Sequence, residues 1–135
     1  MRRKPRYSTV MLVDDSEVDN FINQKMMEGC NFASTIHIHT SGKSALESLK
    51  NMERAKGNAV NFRPEIVFLD INMPMMDGFQ FIEEFEKLGE KFSKEIKIII
   101  LTSSINQDDE AKSKKYSHVS GYLIKPLNQA ALDSI

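Results

Sequence analysis

Four apolar runs in this 135-residue chain each end on a residue that can do chemistry: Val10 to Val13 on Asp14 and Asp15, Ile66 to Leu69 on Asp70, Ile98 to Leu101 on Thr102, and Tyr122 to Ile124 on Lys125. Runs this short and this rich in Val, Ile and Leu read as buried parallel strands, whose carboxyl ends share one edge of a sheet. Three carboxylates, a hydroxyl and an ammonium then meet at that edge. Such a set suits an aspartate that accepts a phosphoryl group beside a hard cation.

The stretches between the runs have the period of helices, so strand and helix alternate along the chain and predict an α/β fold built on a parallel sheet. Thr9 to Val13 is the first strand. Ser16 and the early acids Glu17 and Asp19 suit a helix start, and Val18, Phe21, Ile22 and Met26 are expected on its buried face as far as Gly29. Ala33 to His39 reads as the second strand, Ser44 to Met52 as a helix through Ala45, Leu46, Leu49 and Met52, and Ala55 to Arg63 as a polar connector. Pro64 introduces the third strand. The Pro and Gly of Ile71-Asn72-Met73-Pro74-Met75-Met76-Asp77-Gly78 impose a tight loop before Phe79, Ile82, Phe85 and Leu88 resume helical spacing. Ile96 to Leu101 is the fourth strand, Asn106 to Lys115 a mostly polar helix, Gly121 to Ile124 the fifth strand, and Leu127 to Ile135 a short last helix.

Composition bounds what this site can serve. The length suits one domain with one core, 41% hydrophobic and 27% charged residues are those of an ordinary globular protein, and a formal net charge of -1 argues against a broad nucleic-acid-binding surface. The single cysteine, Cys30, allows no internal disulfide, so a reducing, cytoplasmic setting is expected. The basic start, Arg2, Arg3, Lys4 and Arg6, resembles the charged part of a signal peptide, but the apolar run after it breaks at Asp14, too soon for export or a membrane span. Residues 1–8 are therefore read as a basic arm and 9–135 as the domain, with no helix-turn-helix segment for DNA.

The Asp14-Asp15 pair, Asp70 followed by Met73-Pro74 and Asp77-Gly78, Thr102, and Lys125-Pro126, in that order at the ends of four strands, resemble the receiver domain of two-component response regulators. The resemblance covers nearly the whole chain. It implies a three-layer α/β/α, flavodoxin-like (βα)5 fold with strand order 2-1-3-4-5. In that order the first and third strands are neighbours, so Asp14, Asp15 and Asp70 enter one crevice, where their repulsion is unfavourable without a cation among them. Magnesium, or manganese in its place, fits an oxygen-only set that takes one or two carboxylates and keeps its waters.

By the same resemblance, Asp15 and Asp70 would bind the ion directly, Asp14 through water, and the main-chain carbonyl of Asn72 would complete the protein's share. Asp70 would be the phosphoacceptor, taking the group from a phosphohistidine on a sensor histidine kinase or phosphotransfer protein, or from a small acyl phosphate. Thr102, Ser103 and Lys125 would bind the phosphoryl oxygens, and Lys125-Pro126 would carry a cis peptide. Thr102 and Tyr122 would form the switch, biasing a face made of the last two helices and the strand between them. The resemblance also implies that Asn72 and Ser104 would modulate dephosphorylation. The expected function is that of a stand-alone or truncated receiver that modifies itself and turns over no external substrate.

Other readings carry less of the sequence. Asp14 and Asp15 alone could be helix caps, but not when matched by Asp70, Thr102 and Lys125. A magnesium-dependent phosphatase of the haloacid dehalogenase type also uses an aspartate nucleophile after a strand. It needs a general acid two residues on, where this chain has Asn72. His37 and His39 share a face of a strand without a third ligand and are read as edge-strand surface, Met73, Met75 and Met76 as packing and loop residues, and Lys112, Lys114 and Lys115 as a solvated helix face.

Overall fold

The computed structural model describes residues 4–55, 63–103 and 106–135. Five parallel strands form one sheet in the order β2-β1-β3-β4-β5: β1 (Tyr7–Val13), β2 (Ala33–His39), β3 (Ile66–Leu69), β4 (Lys97–Thr102) and β5 (Val119–Ile124). The helices are α1 (Glu17–Gly29), α2 (Gly42–Ala55), α3 (Gly78–Phe85), the single turn α4 (Glu90–Ser93), α5 (Gln107–Ser113) and α6 (Gln129–Asp133). Strand order and layering are those that the resemblance implies.

Alternation along β1 divides the core between the two faces of the sheet. Val10 and Leu12 join Met27 of α1 and Leu127 and Leu132 around α6, while Met11 and Val13 join Ala45, Leu46 and Leu49 of α2, Phe81, Ile82 and Phe85 of α3, and Phe92 of α4. All four residues of β3 are buried, as a central strand covered on both faces requires. The sheet edges are β2 and β5.

Several boundaries differ from the sequence reading. β1 begins at Tyr7, inside the stretch read as the arm, because the Tyr7 N–H donates to the Phe32 carbonyl at 2.9 Å. β5 begins at Val119, where the Ile98 N–H donates to the His118 carbonyl at 2.8 Å and the register slips between Ile98 and Ile99. The helix through Phe79 ends at Phe85, and Leu88 packs from the turn that follows. The connector from residue 56 to 62 and the residues Arg2 and Arg3 lie outside the described residues.

The apolar face expected of α1 is corrected by the structure. Val18, Phe21 and Ile22 are 67, 58 and 43% exposed, and the buried face is Asn20, Asn23 and Met27. The asparagines face inward because each supplies a hydrogen bond that a hydrocarbon cannot: Asn20 Nδ2 donates to the Asp14 carbonyl at 2.9 Å, and Asn23 Oδ1 accepts from the Leu127 N–H at 3.0 Å. His37 and His39 are likewise half-buried rather than surface groups; His39 Nδ1 lies 2.8 Å from Ser44 Oγ.

Candidate functional site

Ladder register places the acidic residues. Val13 of β1 pairs with His39 and Leu69, and the chain leaves the sheet with the Asp14 N–H donating to the His39 carbonyl at 3.1 Å and the Asp70 N–H to the Val13 carbonyl at 2.9 Å. Asp14 and Asp70 thus emerge side by side, 4 and 5% exposed, with Asp15 at the rim. Asp14, Asp15 and Asp70 can each offer a carboxylate oxygen within 4.8 Å of the others, the spacing of a shared cation.

The Asp14 carboxylate is held by its own loop. The Ser16 N–H donates to Asp14 Oδ1 at 2.9 Å, while Ser16 Oγ caps α1 by accepting from the Asp19 N–H at 3.1 Å. Burial, and then the Asp14 carboxylate beside it, push the Asp70 carboxyl up to about 6, against the pull of Lys125 and the Asn72 N–H. Burial and a neighbouring carboxylate thus both disfavour charge on Asp70.

Lys125 brings an ammonium to these carboxylates. Its Nζ donates to Asp14 Oδ2 at 2.7 Å and to Asp19 Oδ2 at 2.8 Å, and lies 3.7 Å from Asp70 Oδ1. Burial alone would lower the ammonium, but the hydrogen bonds to Asp14 and Asp19 push it up to about 12. The Lys125 N–H donates to the Thr102 carbonyl at 2.7 Å, and the Lys125-Pro126 peptide is cis. Thr102 is buried at the end of β4, next to Ile124 in the ladder; Ser103 is exposed and lines a cleft of about 230 Å³ with Asp19, Ile22, Asn23, Lys125 and Pro126. Tyr122 is half-buried and packs on the cluster that includes Ile100. Ser104 lies outside the described residues.

The loop after Asp70 turns tightly so that α3 can start directly behind it. The Gly78 N–H donates to the Ile71 carbonyl at 2.8 Å, and Asp77 and Gln80 form a reciprocal cap at 2.9 Å in each direction. A Cβ on Gly78 would stand 2.8 Å from both the Asp70 carbonyl oxygen and Ile71 Cα, where no flexible side chain can give way. Gly78→Ala is therefore expected to cost roughly 1–3 kcal/mol, read as a lower urea midpoint at unchanged m-value. In this loop Asn72 is exposed and its N–H lies 3.4 Å from Asp70 Oδ1, Met73 is buried, and Met75 is fully exposed at φ 70°.

The structure brings Asp14, Asp15, Asp70, Thr102 and Lys125 to one sheet edge, with Asn72 and Ser103 on the flanking loops. Sequence reasoning missed Asp19, Asn20 and Asn23. The signal was present, since Asn20, Asn23 and Met27 recur at helical spacing, but the apolar stripe beside them is stronger by hydropathy.

Residues 10–135 match the family described as response regulator receiver domain. Response regulator Rcp1 of Synechocystis is 29% identical over 88% of this chain and 77% of its own length. Sensor histidine kinase CheAY of Helicobacter pylori is 29% identical over 99% of this chain, which there corresponds to 15% of the protein. Among solved structures, a two-component response regulator from Cytophaga hutchinsonii is 30% identical with a TM-score of 0.86, covering 98% of this chain and 94% of that one.

Proposed function

This chain belongs to the response regulator receiver family, and on that premise we propose that it accepts a phosphoryl group on Asp70 and relays the change to a protein-binding face. Receivers are signalling domains, so the reaction is one of the chain with itself and a donor rather than turnover of an external substrate. The observation that carries the reading is the meeting of Asp14, Asp15 and Asp70 within 4.8 Å, with Lys125 Nζ 3.7 Å from Asp70.

The donor set is oxygen only, with three carboxylates close enough to share one cation, and this fits Mg²⁺ or Mn²⁺. Asp14, Asp15, Asp70 and the Asn72 carbonyl would hold the ion. When bound, it supplies positive charge to the Asp70 carboxylate and to the transferring oxygens.

The chain's own residues do the rest. An Asp70 carboxylate oxygen forms the new bond to phosphorus as the bond from phosphorus to the donor's imidazole nitrogen, or to the oxygen of an acyl phosphate, breaks. The donor leaves with the electron pair, and the product is a mixed anhydride. The transition state is loose and its charge lies on the phosphoryl oxygens, so placing donors around them is most of the catalysis. Lys125 brings its ammonium, Thr102 its hydroxyl and Ser103 a backbone N–H on a small residue. Drawing Thr102 inward would leave room for Tyr122, which packs against the core from β5, and would bias α5, β5 and α6.

A sensor histidine kinase or phosphotransfer protein is the proposed donor. The exposed Val18, Phe21 and Ile22 on α1 offer it an apolar seat, and Ile22 lines the same cleft as Lys125. No helix among the described residues is long and apolar enough to cross a membrane. Nothing in the fold or in the comparisons supports the dehalogenase-type alternative, whose general acid would have to be the exposed amide of Asn72.

Incubation with an acyl phosphate, followed by weighing of the intact protein, tests the proposal. A single phosphoryl adduct is expected on the unsubstituted protein with Mg²⁺, and none on Asp70→Asn or after chelation. Equal labelling of both variants, or none on the unsubstituted protein with metal, would overturn it.

A further inference from the structure

Asp19 is a fourth carboxylate at the site, and its placement answers a local question of capping. It stands in the first turn of α1, where an acid is favoured by the helix dipole and could return a bond to the N–H of the cap residue. The Ser16 N–H is already taken by Asp14 Oδ1. The Asp19 carboxylate is thereby released, and it turns to Lys125 at 2.8 Å.

The ammonium consequently has two close partners, both on the α1 side of the crevice, and stands out of hydrogen-bonding range of Asp70 at 3.7 Å. Lys125 is 10% exposed, so its ammonium depends on these carboxylates rather than on water for its partners. Of its two holds, Asp14 is 6% exposed and Asp19 37%, so the Asp19 bond is the better solvated and the weaker. It is the one placed to give way.

Taking Asp70 as the phosphoacceptor, we propose that Asp19 is a positioning residue that keeps Lys125 off the acceptor and competes with the phosphoryl oxygens for its ammonium. Asp19 touches neither Asp70 nor the transferring group in this role; it acts through the lysine. Weakening this hold frees Lys125 for the phosphoryl oxygens in the transition state, so formation of the adduct quickens.

The test measures adduct formation from an acyl phosphate at saturating Mg²⁺ by intact mass. Asp19→Asn should quicken formation by roughly three- to tenfold, the scale of one partly solvated ion pair. Asp19→Glu, which restores the charge, should stay within about twofold of the unsubstituted protein. In a Lys125→Met background Asp19→Asn should leave the rate of formation unchanged. Unchanged or slower formation in Asp19→Asn, or the same gain without Lys125, overturns the role while leaving Asp70 as acceptor. An unsubstituted protein that takes up no phosphoryl group overturns both.

Discussion

Lys125→Met is expected to lower the stability of the metal-free protein by about 2–3 kcal/mol at pH 7, and added Mg²⁺ to return much of it. A lysine at 10% exposure holds Asp14 and Asp19 by hydrogen bonds and stands near Asp70. Removing one partner of a fully buried pair costs about 3–5 kcal/mol, and the solvent reaching Asp19 trims that figure. The sign with pH follows from the raised ammonium. Its stabilisation is complete below its unfolded value of about 10.5 and fades only as pH rises through about 12, so it is fully in force at neutral pH. Without it Asp14 and Asp70 repel unopposed, and the variant should lose stability as Asp70 ionises, most above about pH 6. It should also bind Mg²⁺ more tightly, because one cation no longer excludes another. Urea unfolding across pH with and without the metal measures both effects; equal stability of the two proteins without metal at pH 8 would contradict the account.

The second large effect is a gain. Asp70→Asn should stabilise the metal-free protein above about pH 6 and do nothing below about pH 4. The folded Asp70 carboxyl sits at about 6 against an ordinary 3.8, so folding favours its neutral form. That stabilisation is present below the unfolded value and is lost as pH rises through the folded one, leaving a buried charge at neutral pH. A shift of this size corresponds to about 3 kcal/mol at full burial, and screening by solvent reduces the expected gain to roughly 1–2 kcal/mol. Saturating Mg²⁺ should reverse the ranking, since an ion that binds only the folded, ionised site stabilises the unsubstituted protein by mass action. A site whose acceptor is neutralised to stability's advantage is one that keeps its charge for function.

Much of this was legible because the site is written at strand ends. An apolar run broken by Asp14, Asp70, Thr102 or Lys125 marks both where the strand stops and what it delivers, and parallel pairing brings those stops to one edge. What stayed illegible depends on partners that only the fold supplies. Phe21 and Asn23 cannot be sorted by hydropathy, because the asparagine's place inside comes from the Leu127 N–H far along the chain. Asp19 read as a helix-start acid, and its second role comes from Ser16 having spent its N–H on Asp14. The turn α4 is too short for a period; it is held by the Gly89 carbonyl, which accepts from the Phe92 and Ser93 N–H groups, and by burial of Phe92. In β5 the missed start lies beyond Gly121, where hydropathy falls but the ladder continues.

The central claim is that Asp70, and neither of its acidic neighbours, forms the anhydride. Borohydride reduces an aspartyl phosphate to homoserine, so the protein treated with an acyl phosphate and Mg²⁺, reduced and cut into peptides, reports its own acceptor by mass. Homoserine at position 70 alone is the predicted result; homoserine at position 14 or 15, or none anywhere in protein shown to carry the adduct, would contradict it.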